Sequence, residues 1–99
     1  MAASERLESV DEREASAEWR GQGWFELKIM RANKDGPPDR FYARPGFDFW
    51  CEWKRIGEPL GDKQEIRIKQ MRDMGLRVLA PCYTRNQFWR WVRENAPAV

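Results

Sequence analysis

Histidine is missing from this sequence, and cysteine occurs only twice, as Cys51 and Cys82. Without imidazole and without a cysteine cluster, the chain has no ordinary zinc ligand set. It also has no imidazole to serve as a general base. Any metal site must be built from oxygen ligands, which points to Mg²⁺ or Mn²⁺. No apolar run approaches the ~20 residues that a membrane helix needs, so no membrane partner is expected. The N-terminus lacks an apolar stretch of signal-peptide type, and the expectation is an intracellular, cytoplasmic protein. In that compartment the two cysteines read as reduced core thiols. The sequence shows no internal repeat and no low-complexity tract.

A hydrophobic content of 41% and six Trp argue for a folded chain. Ninety-nine residues support one domain and one core. The formal net charge of +2 hides an asymmetry. Residues 1–18 hold six acids and two bases, a formal −4, whereas residues 19–99 hold ten acids and sixteen bases, a formal +6. A basic body behind an acidic first segment suits a nucleic-acid partner. A solvated surface of mixed charge would give the same count.

Residues 5–20 are rich in Glu, Ala and Arg and read as a helix, with Ser4 as a candidate cap and Gly21 and Gly23 as its stop. Leu7, Val10, Ala15 and Trp19 are its apolar positions. Residues 24–30 read as a first strand, and the Gly-Pro-rich segment 33–38 as a loop. Residues 39–43 form a short second strand. Arg44-Pro45-Gly46-Phe47 is a turn with Pro and Gly where a type II turn prefers them. Residues 47–54 alternate as a third strand, with Phe47, Phe49, Cys51 and Trp53 on one face and Asp48, Trp50, Glu52 and Lys54 on the other. A helix over 61–74 follows, with Ile68, Met71 and Met74 along one face and Gly75 as its stop. Residues 76–83 are a fourth strand, and Thr84 or Asn86 caps a last helix that reaches about Asn95. A helix between the third and fourth strands predicts a crossover and a parallel pair there. The fold class is therefore α/β, in the order helix-strand-strand-strand-helix-strand-helix.

If the turn centres on Pro45-Gly46, Tyr42 faces Phe49, Arg40 faces Cys51 and Asp39 faces Glu52. The two carboxylates are then cross-strand neighbours with Cβ atoms about 5 Å apart. Like charges there destabilise a sheet unless a cation lies between them, and Mg²⁺ takes oxygen ligands at about 2.1 Å. Lys54 leaves the sheet on the same face as Glu52 and can stabilise charge that builds up on a phosphate. An ordinary hairpin with a solvated charged face is the plainer account. Glu-x-Lys and Pro-Asp are each weak signals alone, and their joint spacing and facing carry the site.

These residues also support a resemblance. Gly36-Pro37-Pro38-Asp39-Arg40, the Pro-Gly turn, Phe49-Trp50-Cys51-Glu52-Trp53-Lys54, Asp62-Lys63-Gln64 and Met74-Gly75-Leu76-Arg77-Val78 resemble the virus-type replication–repair nuclease (VRR-NUC) domain. That family belongs to the PD-(D/E)xK nucleases. The similarity spans about residues 8–84, with a C-terminal helix at about 85–95 beyond it. It implies a restriction-endonuclease-like core and divalent-metal-dependent cleavage of branched or structured DNA, such as Holliday junctions. Small stand-alone members, often from phages, act as homodimers, which implies the cytoplasm of a bacterial or phage-infected cell. Carried over, Asp39 and Glu52 are the metal carboxylates, Lys54 is the catalytic lysine and Gln64 supports the site from its helix. The family's first-helix Glu falls on Glu12 by its distance to Gly23, with Glu8 and Glu14 as alternatives. The chain departs from the family at Pro37, where Val or Ile is commoner, and it lacks the usual Ser/Thr-Pro-Leu pattern before Gln64.

Arg40, Lys28 and Trp50 are candidate DNA contacts, although Arg40 and Lys28 could equally decorate strand ends. Phe88, Trp89, Trp91 and Val92 lie at helical spacing, and part of the last helix is expected at a dimer interface. The reading from another class is a nucleic-acid-binding module of the same fold that does not cut.

Overall fold

A computed structural model describes residues 9–29 and 38–98 of the chain. The hairpin turn sets its geometry. Gly46 has φ +80°, the left-handed value that the third residue of a type II turn requires. From that turn the strands β2 (Arg40–Arg44) and β3 (Phe47–Trp53) run antiparallel, with Arg44 opposite Phe47, Tyr42 opposite Phe49 and Arg40 opposite Cys51. This is the register that the sequence predicts. β1 (Phe25–Lys28) pairs antiparallel with β2, and β4 (Val78–Cys82) pairs parallel with β3. The mixed four-stranded sheet has the order β1-β2-β3-β4. With α1 (Val10–Gly21), α2 (Asp62–Asp73) and α3 (Arg85–Asn95), the chain has the expected α-β-β-β-α-β-α order.

Each helix begins and ends for a local reason. Ser9 caps α1 by accepting the Glu12 N–H at 3.0 Å. The expected cap Ser4 and the expected first turn at 5–8 lie outside the described residues, as does the 33–37 loop. Thr84 caps α3 through the Gln87 N–H at 3.1 Å, and Gln87 takes the Tyr83 N–H in return at 2.7 Å. That exchange ends β4 at Cys82, one residue before the expected boundary. At the other end of β4, Leu76 belongs to the stop of α2. Gly75 N–H donates to Arg72 O and Leu76 N–H donates to Met71 O, each at 3.0 Å, which is a Schellman closure. Gly75 supplies the positive φ of +90°.

Residues 47, 49, 51 and 53 of β3 are buried, as their alternation predicts. α1 and α3 cover that face. Trp19 of α1 meets Phe49, Tyr42 and Phe88 edge-on at 5.6–6.0 Å. Phe88 of α3 stacks on Trp53 at 5.6 Å. Phe88 and Val92 are core residues. Trp91 packs on Phe49 at 4.7 Å, and Trp89 stacks on Trp19 and donates its Nε1–H to Glu18. Phe88 and Val92 are thus consumed inside the subunit, while Trp89 and Trp91 stay partly exposed. Phe88 and Val92, expected at a dimer interface, belong to the core, because composition cannot show which aromatics a core absorbs. The opposite face of the sheet meets α2 through Ile68, which is 3% exposed. Met74, expected on the same buried stripe, is 79% exposed, because it sits at the C-cap where the chain turns away. Cys51 and Cys82 are buried, unbridged thiols. Among the described residues no helix is long and apolar enough to cross a membrane.

Candidate functional site

Asp39 is the bend that enters β2, not its first paired residue. Its N–H donates to the Glu52 carboxylate at 3.1 Å, and its carbonyl accepts the Ile29 N–H at 2.7 Å. Its own Oδ1 lies 3.4 Å from the Trp53 N–H. The backbone thus ties the two acids together across the hairpin, at the position the register assigns them.

Glu52 is 3% exposed, so its charge needs partners. Oε1 accepts from Asp39 N–H, and Oε2 accepts from Gln64 Nε2 at 3.2 Å. Gln64 is the third residue of α2. Its Oε1 reaches back to the Gly61 N–H at 3.1 Å, which closes the helix start and turns the amide nitrogen toward Glu52. A single side chain both caps the helix and orients the buried acid.

Lys54 continues the ladder past the end of β3, donating its N–H to Cys82 O at 2.9 Å. Its Nζ stands 3.7 Å from Glu52 Oε2 and 3.8 Å from Glu58 Oε2. Both distances exceed hydrogen-bond length, so the ammonium is attracted to both acids without directing a proton onto either. Glu58 was not singled out in the sequence. It is fixed by a turn in which Arg55 N–H donates to its carboxylate at 3.2 Å, and by Tyr83 Oη–H donating to its carbonyl at 3.0 Å. Opposite Glu52 the β3–β4 register shifts: Cys51 faces Leu79 but Trp53 faces Cys82, so Ala80 and Pro81 oppose one residue. Such an irregularity re-aims side chains beside it.

A shallow depression bordered by Pro38, Glu52, Gln64, Arg67 and Ile68 lies beside the buried Glu52 carboxylate. Arg67 is a cation that sequence reasoning missed, because its approach depends on how α2 is rotated on the sheet.

The structure does not bring every candidate here. Arg40 follows Asp39 but faces Cys51, on the side that α1 covers. Its Nε donates to Glu12 Oε2 at 3.0 Å and its Nη1 pairs with Glu26, which also binds Arg20 at 2.8 Å. Only 4% exposed, Arg40 is an internal ion-pair hub and not a surface phosphate contact. Burial pulls its guanidinium below the ordinary value. Glu12 is buried as the partner of Arg40, which gives it a structural task. Of its rivals, Glu14 pairs with Arg85 of α3 at 3.4 Å and Glu8 lies outside the described residues. Lys28 is exposed at the end of β1, and Trp50 lies half-buried on the face that carries Glu52.

Burial first, then the neighbouring Cys82 thiol and the charges of Asp39 and Glu12, push the Cys51 thiol well up. The Tyr42 phenol is also raised, mainly by burial, between Ser16 Oγ at 2.8 Å and Trp53 Nε1 at 3.0 Å. These groups support the sheet under the site and stay neutral.

Chemically, the arrangement offers the Asp39 and Glu52 carboxylates, the Lys54 ammonium and the Gln64 amide, with Glu52 and Gln64 bordering a shallow depression. Among the described residues no third His, Cys, Asp or Glu joins the pair to form a metal-ligating cluster. The all-oxygen donor set still fits a hard cation that keeps several waters, as Mg²⁺ does. In comparisons with known proteins, no family model, no curated protein and no solved structure matches the chain.

Proposed function

We propose that the protein is a divalent-metal-dependent DNA endonuclease selective for branched DNA such as four-way junctions. One observation carries this reading. The Asp39 N–H is bonded to the Glu52 carboxylate, Gln64 orients Glu52, Lys54 stands 3.7 Å from it, and Glu52 and Gln64 border a shallow depression. Asp39 and Glu52 would hold Mg²⁺ or Mn²⁺, and the bound cation would neutralise the scissile phosphate and acidify a water.

The chain's own groups divide the remaining work. Asp39 and Glu52 would fix where the cation sits, and the cation would draw the phosphate to them. Gln64 and the Asp39 N–H keep both Glu52 oxygens oriented, so little reorganisation is left for the reaction itself. Lys54 adds positive charge where negative charge develops, and it is positioned by attraction to Glu52 and Glu58. Arg67 offers a second cation at the rim. One chain carries one such pair, and resolving a junction requires two cuts, so a twofold homodimer belongs to this reading.

The test is cleavage of a panel of linear duplex, flap and four-way-junction DNA in Mg²⁺ or Mn²⁺, with a chelator control and light scattering for the mass. The expected result is metal-dependent cutting that favours the junction, by a dimer. Binding without cutting in either metal would leave a nucleic-acid-binding module. Equal cutting of junction and linear duplex by a monomer would remove the junction and dimer parts alone.

A further inference from the structure

The sheet face that carries Glu52 also bears the exposed ring of Phe25 and the half-buried rings of Phe41 and Trp50, which the metal-site reading does not use. Side chains two apart on a strand share a face, so Phe41 follows Asp39 and Trp50 precedes Glu52 on that face. Phe41 is opposite Trp50, and Leu27 is opposite Phe41. The Phe41 and Trp50 rings lie 5.0 Å apart, and the Phe25 and Phe41 rings 6.5 Å apart. Phe25 is 56% exposed and Leu27 47%. This aromatic row stands one two-residue step, about 7 Å, from the acid pair.

Cations border the row on its α2 side. Arg67 lies at the rim of the depression beside Glu52. Arg72 donates to Val78 O at 2.8 Å, and Val78 is the β4 partner of Trp50. That bond uses one of the five N–H groups of the guanidinium. Rings on one side and arginines on the other match a single nucleic-acid strand, whose bases and phosphates occupy opposite edges. Aromatic side chains on an open four-stranded sheet stack on unpaired bases. A base inside a duplex has both faces covered by its neighbours and offers nothing to such a row. A second copy of the chain seated here would close off the Asp39–Glu52 pair beside it.

We propose that Phe25, Phe41 and Trp50 form a stacking platform for unpaired nucleotides that lead into the Asp39–Glu52 site. The substrate then carries a single-stranded segment of about two or three nucleotides beside the cleaved bond, about one per ring. The cutting part of this inference rests on the nuclease reading, and the binding part does not.

The experiment measures binding of labelled oligo-dT and of blunt duplex, in Ca²⁺ at one fixed salt concentration, to wild type, Phe25→Ser and Trp50→Leu. Thermal melts and light scattering accompany it. Phe25 is exposed on an edge strand, so its replacement keeps the fold even if Trp50→Leu does not. Each variant is expected to weaken oligo-dT binding about tenfold and duplex binding about twofold or less. In Mg²⁺, wild type is expected to cut a junction with unpaired nucleotides at the branch faster than a perfectly paired one, and Phe25→Ser is expected to lose that advantage. Wild-type oligo-dT affinity in folded Phe25→Ser overturns the platform, as does equal loss on single strand and duplex. So does a fall in mass with oligo-dT affinity intact, which would make the face a contact between copies. Ring-dependent binding without cleavage by wild type in Mg²⁺ or Mn²⁺ would overturn the nuclease reading and keep the platform. Cleavage indifferent to the rings would do the reverse.

Discussion

The Asp39 N–H donates to Oε1 of Glu52 across 3.1 Å, so the backbone of one acid holds the carboxylate of the other. Neither acid is placed by its own strand alone. The pair exists because the hairpin closes in one register.

Charge removal at this pair has a defined consequence. Glu52→Gln and Asp39→Asn each keep the side-chain shape and remove one negative ligand. Each is expected to lower cleavage in Mg²⁺ or Mn²⁺ by about a hundredfold or more. Thermal melts should show no stability loss beyond about 1 kcal/mol, since relieved repulsion offsets a weakened hydrogen bond. Wild-type rates in either variant would refute the assignment. Chelation of the metal should abolish wild-type cutting and leave the melt nearly unchanged.

Lys54→Ala separates rate from affinity. One lysine is a small part of a charge-driven interface, but this one stands 3.7 Å from Glu52. Single-turnover cleavage should fall about a hundredfold. DNA affinity in Ca²⁺ should change only about threefold. The opposite pattern, a large affinity loss at an unchanged rate, would make Lys54 a phosphate anchor.

Arg40 and Glu12 should behave as a structural pair. Arg40→Ala strands buried carboxylates and is expected to cost about 3–5 kcal/mol in denaturant unfolding. Glu12→Gln keeps a hydrogen-bond acceptor, loses the charge and should cost about 1–2 kcal/mol. Measured well below its melting temperature, Glu12→Gln should cut at close to the wild-type rate. An inactive Glu12→Gln of undiminished stability would instead make Glu12 a metal ligand.

Alkaline pH should destabilise the protein through Cys51 and Tyr42. Both are neutral when protonated, and both have folded pKa values raised above the unfolded ones. The folded protein therefore keeps protons that the unfolded chain releases. The stability they confer is fully present below pH about 8.5, the unfolded thiol value, and is lost as pH rises toward the folded values. Melting temperatures from pH 7.5 to 10.5 should fall, and Cys51→Ala should flatten the first part of that fall. In the native state, Cys51 should resist thiol reagents at neutral pH.

The hairpin and its acid pair were legible because local signals agree there. Pro45-Gly46 names the turn, and Phe47, Phe49, Cys51 and Trp53 name the inward face. Gln64 was legible only through resemblance, since nothing in a lone helical Gln says that it bends back to Gly61 and out to Glu52. The pairing of Arg40 with Glu12 was not legible, because their meeting spans 28 residues of separation and depends on the seating of α1. A sequence shows a charge near a strand end but not that a helix covers it. The aromatics of α3 looked surplus because their partners, Trp19, Phe49 and Trp53, come from three other segments of the chain. Arg67 was missed for a similar reason, as the rotation of α2 has no local signature.

The tight turn at Pro45-Gly46 also limits how this chain can drift. Side chains alternate sides along a strand, so one added or lost residue between Arg44 and Phe47 would send Asp39 to the opposite side of the sheet from Glu52, or force a bulge to absorb the change. Surface loops ordinarily tolerate length variation, and this one sits some five residues from either acid. Its length should nonetheless be as constrained as the identity of the acids. Insertions scanned across the chain would register it as a point of intolerance with no chemistry of its own.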